Sequence, residues 1–230
     1  GQVLVSVAFS LYCYFSPLVG SSILVPFFNV EWDLGVLYVP LMTLVMIFMI
    51  NSANLQDGLD GLLSSVTVIS SAAWGLMAVF VALAGGAMMS PELLGNYRHL
   101  AVFALALSGA CMGFLRFNHY PALVFMGDTG SLFLGGAIAA MVFAYDMPLI
   151  LIILGLMYII ETLSDIIQVG YFKLSHGKRV FKMAPFHHHL EMGGWTGKKW
   201  TERELFVLYF SISLICAVIS FVGVYNRYAF

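Results

Sequence analysis

The chain has 230 residues, of which 61% are hydrophobic and only 10% are charged, and its mean hydropathy is +0.94. Soluble domains average about 25% charged residues, which cover the surface that faces water. So few charges exclude a soluble globular domain, and a net charge of −2 is too small to indicate a nucleic-acid partner. We therefore expect an integral membrane protein in which lipid surrounds most of the surface.

Apolar runs along the chain predict an all-α, polytopic helical bundle that forms a single transmembrane domain over residues 1–230. A spanning helix needs about 20 apolar residues to cross about 30 Å of hydrocarbon. Runs of suitable length predict about seven spans, at approximately 2–26, 34–50, 62–89, 99–117, 130–145, 148–171 and 205–226. The three cysteines lie far apart inside such runs, without the spacing of a disulfide framework or a zinc site.

Alternation of these spans places the loops 51–61, 118–129 and 172–204 on one membrane face. Of the ten basic residues, only Arg98 and Arg227 fall on the opposite face. The other eight are on the first face, at Arg116, Lys173, Lys178, Arg179, Lys182, Lys198, Lys199 and Arg203. Because cytoplasmic loops carry the excess of Lys and Arg, the first face is predicted to be cytoplasmic. Most amides, carboxylates and histidines capable of chemistry lie in the same loops.

The first polar segment, 51–61, carries an amide or carboxylate at every third position: Asn51, Asn54, Asp57 and Asp60. Gly58 and Gly61 indicate that the helix ends or restarts here, which lets the backbone approach a ligand. Oxygen ligands of this kind suit Mg²⁺, which binds through one or two carboxylates together with substrate phosphates. The alternative is that the two aspartates only cap the following helix.

The second segment, 118–131, begins at Asn118 and places Asp128 between two glycines at the start of the fifth predicted span. There Asp128 could hold a metal while neighbouring backbone amides face a phosphate. Phe125, three residues earlier, could stack on a nucleobase. The alternative is an N-cap aspartate followed by a core phenylalanine.

The third segment, 183–191, contains the run His187, His188 and His189. Imidazoles can bind a pyrophosphate, donate a proton or ligate a metal. Consecutive residues cannot all point at one ion, so a zinc site made by these three alone is not expected. Contact of one or two of them with phosphate, supported by Lys182 and Arg179, is the preferred interpretation.

Inside the sixth predicted span, four residues form a polar stripe with helical spacing: Glu161, Ser164, Asp165 and Gln168. Acids within hydrocarbon must face the bundle interior or a wet cavity and are candidates for function. For Glu161 a functional role and a structural role in pinning helices remain open. Gly109 and Gly113 have the small-xxx-small spacing that is typical of helix packing.

Four stretches resemble the phospho-N-acetylmuramoyl-pentapeptide transferase family, within the larger group of polyprenyl-phosphate N-acetylhexosamine-1-phosphate transferases. They are NSANLQDGLDGL (51–62), FMGDTGSLFLGG (125–136), ETLSDIIQVGYFKL (161–174) and FKMAPFHHHLEMGGW (181–195). The resemblance covers essentially the whole chain, and the triple-histidine stretch is its most discriminating part. It implies a Mg²⁺-dependent enzyme that moves phospho-MurNAc-pentapeptide from UDP-MurNAc-pentapeptide onto undecaprenyl phosphate, which forms lipid I and releases UMP.

The resemblance also implies roles for particular residues. Asp128 would ligate Mg²⁺, with Asn54 lining the metal or phosphate site, and Phe125 would stack on uracil. Asp57 and Asp60 would bind the nucleoside or diphosphate, and His187 and His188 the diphosphate–sugar region. The remaining substrate-pocket positions are Asn51, Asn118, Gln168 and His189. The implied location is the inner membrane of a bacterium, with the site on the cytoplasmic face; the sequence leaves a homodimer open.

Two departures from the family matter. Members are roughly a hundred residues longer, with ten spans, and the N-terminal part that this chain lacks includes an adjacent aspartate pair important to catalysis. Asp165 stands where an apolar residue is expected. Two other functions compete with lipid I synthesis: transfer of GlcNAc-1-phosphate onto a polyprenyl phosphate, and an ion-coupled transporter that uses Glu161 and Asp165. A transporter needs polar access from both faces, whereas this sequence is rich in polar groups on one face.

Overall fold

A computed structural model describes residues 1–28, 30–85, 89–145 and 147–228, with side chains as far as residue 225. Its regular structure is almost entirely helical, which confirms the predicted all-α membrane class. The helices are α1 (Gln2–Phe15), α2 (Tyr38–Gln56), α3 (Leu62–Ala84), α4 (Pro91–Asn118), α5 (Gly127–Ala144), α6 (Leu151–Leu154), α7 (Leu156–Leu174), α8 (Phe186–Glu191) and α9 (Glu202–Tyr228). Two strands, β1 (Ser22–Val25) and β2 (Val30–Asp33), form an antiparallel hairpin with Ser22 opposite Asp33.

The prediction of seven spans was wrong. Within the described residues, five helices are long and apolar enough to cross a membrane: α2 with the turn before it, α3, α4, α5 and α9. A sixth span results only if the segment Pro148–Leu154 and α7, which meet at 84°, are counted together. The end of the predicted span 62–89, at residues 86–88, lies outside the described residues.

Proline chemistry explains the loss of the first predicted span. The run at 2–26 is apolar throughout, but α1 ends at Phe15 because Ser16 precedes Pro17. A residue before proline is driven away from helical geometry, and Ser16 is extended at φ −73° and ψ 129°. The apolar residues that follow then form β1 of the hairpin.

The sixth predicted span is broken at Gly155, the residue between α6 and α7. Its backbone leaves the helical region, at φ −93° and ψ 12°, and the two helix axes diverge there by 84°. Glycine is the weakest helix former after proline, so it is the position where this apolar run bends at the lowest cost. The bend leaves α7 free to approach the loop that carries the histidines.

A close contact between α2 and α5 positions the site. A Cβ added to Gly135 would lie 2.6 Å from the Met49 carbonyl oxygen and 2.7 Å from the Ile50 Cα, so only glycine permits this approach. Among the described residues, added Cβ atoms on Gly109 and Gly113 would meet nothing within 4 Å, so the helix contact predicted for these two is not found in this part of the chain. A buried hydrogen bond of 2.6 Å between Ser52 and Thr162 joins α2 to α7.

Candidate active site

The segment predicted as a loop at 51–61 is helical as far as Gln56, because after Pro40 in the first turn of α2 no glycine or proline occurs before Gly58. Asn51 and Asn54 therefore lie on its last two turns. The chain leaves the helix at Asp57, and Gly61 takes a left-handed conformation with φ 73° before α3 begins. The turn 57–61 presents two carboxylates beside the end of α2.

Asn54 holds Asp128 in place across the contact between α2 and α5. Its Nδ2 donates to Asp128 Oδ1 at 3.0 Å and to Ser131 Oγ at 2.9 Å. Ser131 lies one turn after Asp128 on α5, and Gly135 one turn further. The close approach at Gly135 thus brings these side chains together. In this geometry the amide nitrogen of Asn54 orients the carboxylate, and Asn54 Oδ1, which has no hydrogen-bond partner among the described residues, could ligate a metal.

Asp57 faces Asp128 from the end of α2. Partial burial, and secondly the negative charge of Asp128, raise the pKa of Asp57 to about 6. Two carboxylates that oppose each other in this way favour a cation between them. Carboxylates from two segments far apart in the sequence therefore converge.

Asp60 and Asn118 fix the loop between α4 and α5. Asp60 Oδ2 accepts the Ala122 backbone N–H at 2.8 Å. The buried Asn118 accepts the Ser64 hydroxyl at 2.6 Å and donates to the Val124 carbonyl at 3.0 Å, so both ends of its amide are engaged within the protein.

These bonds leave Phe125 at the surface of the same loop. It is 74% exposed and lies two residues before α5, close in sequence to Asp128. A phenylalanine predicted for the core would be covered by neighbouring side chains. Its ring is instead accessible to a planar ligand.

His187 packs against the turn 57–61 at Gly58. Its ring Nδ1 lies 3.1 Å from Glu161 Oε2 of α7, and its backbone N–H lies 3.4 Å from the same oxygen. The Tyr209 hydroxyl of α9 donates to Glu161 Oε1. A Cβ added to Gly58 would lie 2.6 Å from His187 Nε2, so glycine is needed where the turn passes over the imidazole.

The other two histidines have different partners. His188 is half-buried, and its Nδ1 lies 2.5 Å from Glu191 Oε2, one turn later on α8. His189 is buried among aromatic rings, and its Nδ1 accepts the Lys182 backbone N–H at 3.1 Å. Burial, then the positive charge of Lys182, lowers the pKa of His189. His189 thus organises its own loop through this bond and its ring contacts.

Two further predicted pocket residues bond to other segments of the chain than Asp57 and Asp128 do. Asn51 donates to the Ile47 carbonyl at 2.7 Å and to Gln2 Oε1 at 3.2 Å, which links α2 to α1. Gln168 accepts the backbone N–H groups of Val180 and Phe181 and donates to the Phe181 carbonyl. It lines an open cavity of about 460 Å³ beside α7 together with Asp165.

Sequence reasoning missed Tyr209 and Ser131. Tyr209 sits in the apolar run of α9, where a single tyrosine gives no signal of its partner. Ser131 lies in the stretch 125–136 that resembles the family, and its spacing of three from Asp128 could have identified it. Both are fully buried and bonded to an acid or to the amide that orients one.

The residues present fit Mg²⁺ but not a metal site built from protein ligands alone. Within the described residues, no three His, Cys, Asp or Glu side chains cluster closely enough to hold an ion. Mg²⁺ needs fewer protein ligands, since substrate phosphates and water complete its shell. Asp57 and Asp128, with the free oxygen of Asn54, supply such a donor set.

Comparison with known proteins places this arrangement in a family. The profile of glycosyl transferase family 4 matches residues 1–146, which is more than half of the chain. The chain belongs to glycosyl transferase family 4. That match includes the polar segments around Asp57 and Asp128.

Curated relatives in the family extend the similarity over the histidine loop. The phospho-N-acetylmuramoyl-pentapeptide-transferase of Clostridium botulinum (strain Eklund 17B / Type B) is 45% identical over 221 residues, which is 96% of this chain and 61% of the relative. That of Clostridium novyi (strain NT) is 42% identical over 99% of this chain and 64% of the relative. The resemblance predicted from the motifs is thus confirmed. The chain spans about six-tenths of the length of these relatives.

Proposed function

We propose that the protein carrying this chain transfers phospho-MurNAc-pentapeptide from UDP-MurNAc-pentapeptide to undecaprenyl phosphate, forming lipid I and UMP. The observation that carries the proposal is the convergence of Asp57, Asp128 and the His187–His188 pair, from three separate segments, at one end of the helices. The relatives named for this reaction support it. The bilayer supplies the lipid acceptor, and a homodimer is compatible with the proposal.

The reaction exchanges one phosphorus–oxygen bond for another. An oxygen of the lipid phosphate attacks the sugar-bearing phosphorus of the diphosphate, the bond from that phosphorus to the bridging oxygen breaks, and UMP leaves. When bound, Mg²⁺ would offset charge on the diphosphate and on the leaving UMP. Asp128, oriented by Asn54, and Asp57 are the proposed residues that hold the ion.

The other residues orient the substrate. Phe125 offers an exposed ring on which uracil can stack, and Asp60 fixes the loop that carries it. His188 lies beside Gly58, where it can meet the diphosphate. His187 packs against the same turn at Gly58. Asn118, Gln168 and His189 are proposed to shape the pocket through their loop contacts, and Asn51 through α1.

The test is UMP release by the whole protein in lipid, with UDP-MurNAc-pentapeptide and undecaprenyl phosphate as substrates. We expect EDTA to abolish the activity and added Mg²⁺ to restore it. Asp128→Asn should lower the rate by far more than tenfold, where tenfold corresponds to about 1.4 kcal/mol of barrier. Glu92→Gln, in the first turn of α4, is the matched control and should retain activity. Equal turnover with UDP-GlcNAc would favour the GlcNAc-1-phosphate transferase instead, and Asp128→Asn within tenfold of the parent would remove Asp128 as the principal ligand.

A further inference from the structure

Glu161 is a carboxylate enclosed in protein and surrounded by donors. Glu161, His187 and Tyr209 are all fully buried. One carboxylate oxygen accepts from His187 and the other from the Tyr209 hydroxyl, so three helices, α7, α8 and α9, meet at this side chain. A buried carboxylate is tolerated only when hydrogen bonds satisfy its oxygens, and here both are satisfied.

The carboxylate decides where the proton of the His187 ring lies. An ionised Glu161 can only accept through Oε2, which also accepts the His187 backbone N–H, so the ring nitrogen 3.1 Å away, Nδ1, then carries the hydrogen. The other nitrogen, Nε2, is buried, and within the described residues it has no hydrogen-bond partner. It points at Gly58, where an added Cβ would lie 2.6 Å away. Gly58 is next to Asp57 in the proposed site.

We propose that Glu161 is a positioning residue that acts through His187: it fixes the proton on Nδ1 and holds the ring under Gly58, with Nε2 against the turn that carries Asp57. An imidazole oriented by a carboxylate is a recurring arrangement, because the partner of one ring nitrogen sets the state of the other. The inference rests on the proposed function for its effect on UMP release. It does not rest on that function for the state of the imidazole.

A purely structural role for Glu161 makes different predictions, and the chain offers a matched control. Thr162 is the next residue of α7, is also buried, and bonds Ser52 of α2 at 2.6 Å. Thr162→Val removes a buried hydrogen bond of α7 without touching the histidine loop. If Glu161 only held helices together, its removal and Thr162→Val would have the same kind of effect.

The first measurement is the protonation pattern of His187 in the whole protein, by nitrogen-15 NMR of histidine-labelled samples. His187→Gln identifies the signal by its disappearance. We expect a proton on Nδ1 in the parent and in Thr162→Val, and loss of that fixed pattern in Glu161→Leu. A parent with Nδ1 unprotonated, or an unchanged pattern in Glu161→Leu, would overturn the proposal. This result does not depend on which reaction the protein performs.

The second measurement is kcat and KM for UMP release in the same variants, compared at equal folded fraction. Glu161→Leu should lower kcat by about 10- to 100-fold, as is typical when the partner that orients an imidazole is lost. Glu161→Gln keeps an acceptor oxygen and should recover much of that loss. Glu161→Leu combined with His187→Gln should be no slower than His187→Gln alone, because both changes remove the same function.

Additive losses in the double variant would contradict the proposal, as would an equal loss of kcat in Thr162→Val. If the parent releases no UMP from the UDP-linked substrate, the proposed function is wrong, but the proposal about Glu161 and His187 is not affected. The NMR pattern still decides whether Glu161 sets the state of His187.

Discussion

Three consecutive imidazoles have three unrelated partners because they lie on a helix. Successive side chains on an α-helix are turned by about 100°, so neighbours face different directions. His187 faces α7 and Glu161, His188 faces Glu191 on the next turn of α8, and His189 faces back to the loop at Lys182. The sequence shows that they cannot share one ion, but only the helix shows that His187 and His188 lie against Gly58 in the turn 57–61.

His189 gives a pH dependence whose sign follows from its environment. Its pKa is lowered from the ordinary value near 6.5, so near that pH the unfolded chain binds more protons than the native one. The free energy of unfolding should therefore fall as the pH drops through about 6.5 toward the lower native pKa. His189→Gln should lose less of its free energy of unfolding over this pH range, because glutamine does not titrate.

The measurement is the midpoint of thermal unfolding of both proteins in detergent between pH 8 and pH 5. His119→Gln, at an exposed histidine after α4, is the control and should follow the parent. If the parent and His189→Gln lose stability in parallel over the whole range, the neutral, buried imidazole is not responsible.

At the scale of helices, composition predicted the class of fold but not the number of spans. Hydropathy alone cannot separate one continuous helix from an apolar run interrupted by Pro17 or Gly155. Both interruptions are local backbone effects, and they removed one span and bent another. Spacing did not identify the close glycine contact either, since within the part of the chain that the structure describes Gly109 and Gly113 have no such neighbour, while Gly135 contacts the backbone of α2.

The contact at Gly135 predicts different effects on stability for alanine substitutions at two adjacent glycines of α5. In Gly135→Ala the new methyl would lie 2.6 Å from a backbone oxygen, so α2 and α5 must separate. Overpacking of this kind costs about 1–3 kcal/mol. In Gly136→Ala the nearest atom would be 3.8 Å away, which is ordinary contact, and stability should stay near that of the parent.

Thermal unfolding of the two variants checks this, together with UMP release. Because Asn54 reaches Asp128 across the same contact, Gly135→Ala should also lower activity in molecules that remain folded. A Gly135→Ala protein as stable and active as Gly136→Ala would show that this contact does not position the site.

For the molecule as a whole, the sequence was more informative about chemistry than about geometry. The acids, amides and histidines of the three polar segments were identified by residue type and spacing, and the structure brings Asn54, Asp57, Asp128 and His187 together. Contacts between distant segments, such as Glu161 with Tyr209, leave no local pattern: the stripe around Glu161 is visible in the sequence, but nothing in the apolar run of α9 identifies Tyr209 as its partner. Their roles in catalysis stay predictions.

The asymmetry of charge gives a prediction for the orientation of the molecule. Eight of ten basic residues lie at the end of the helices where the carboxylates and histidines converge, so this end should be cytoplasmic. The three native cysteines are buried, which keeps background labelling low. Lys199→Cys, in the exposed loop before α9, reports on this end, and Glu92→Cys, at the start of α4, reports on the other.

In intact cells, a membrane-impermeant maleimide should label Glu92→Cys and spare Lys199→Cys. Permeabilised cells should show labelling at both positions, which proves that each thiol is accessible. The physical reason is that moving a basic loop across the membrane is unfavourable, so the lysine-rich end stays where the chain is made. A UDP-linked substrate is made in the cytoplasm, and only this orientation lets it reach Asp57 and Asp128. Labelling of Lys199→Cys in intact cells would place the site on the outer face and remove the proposed substrate with it.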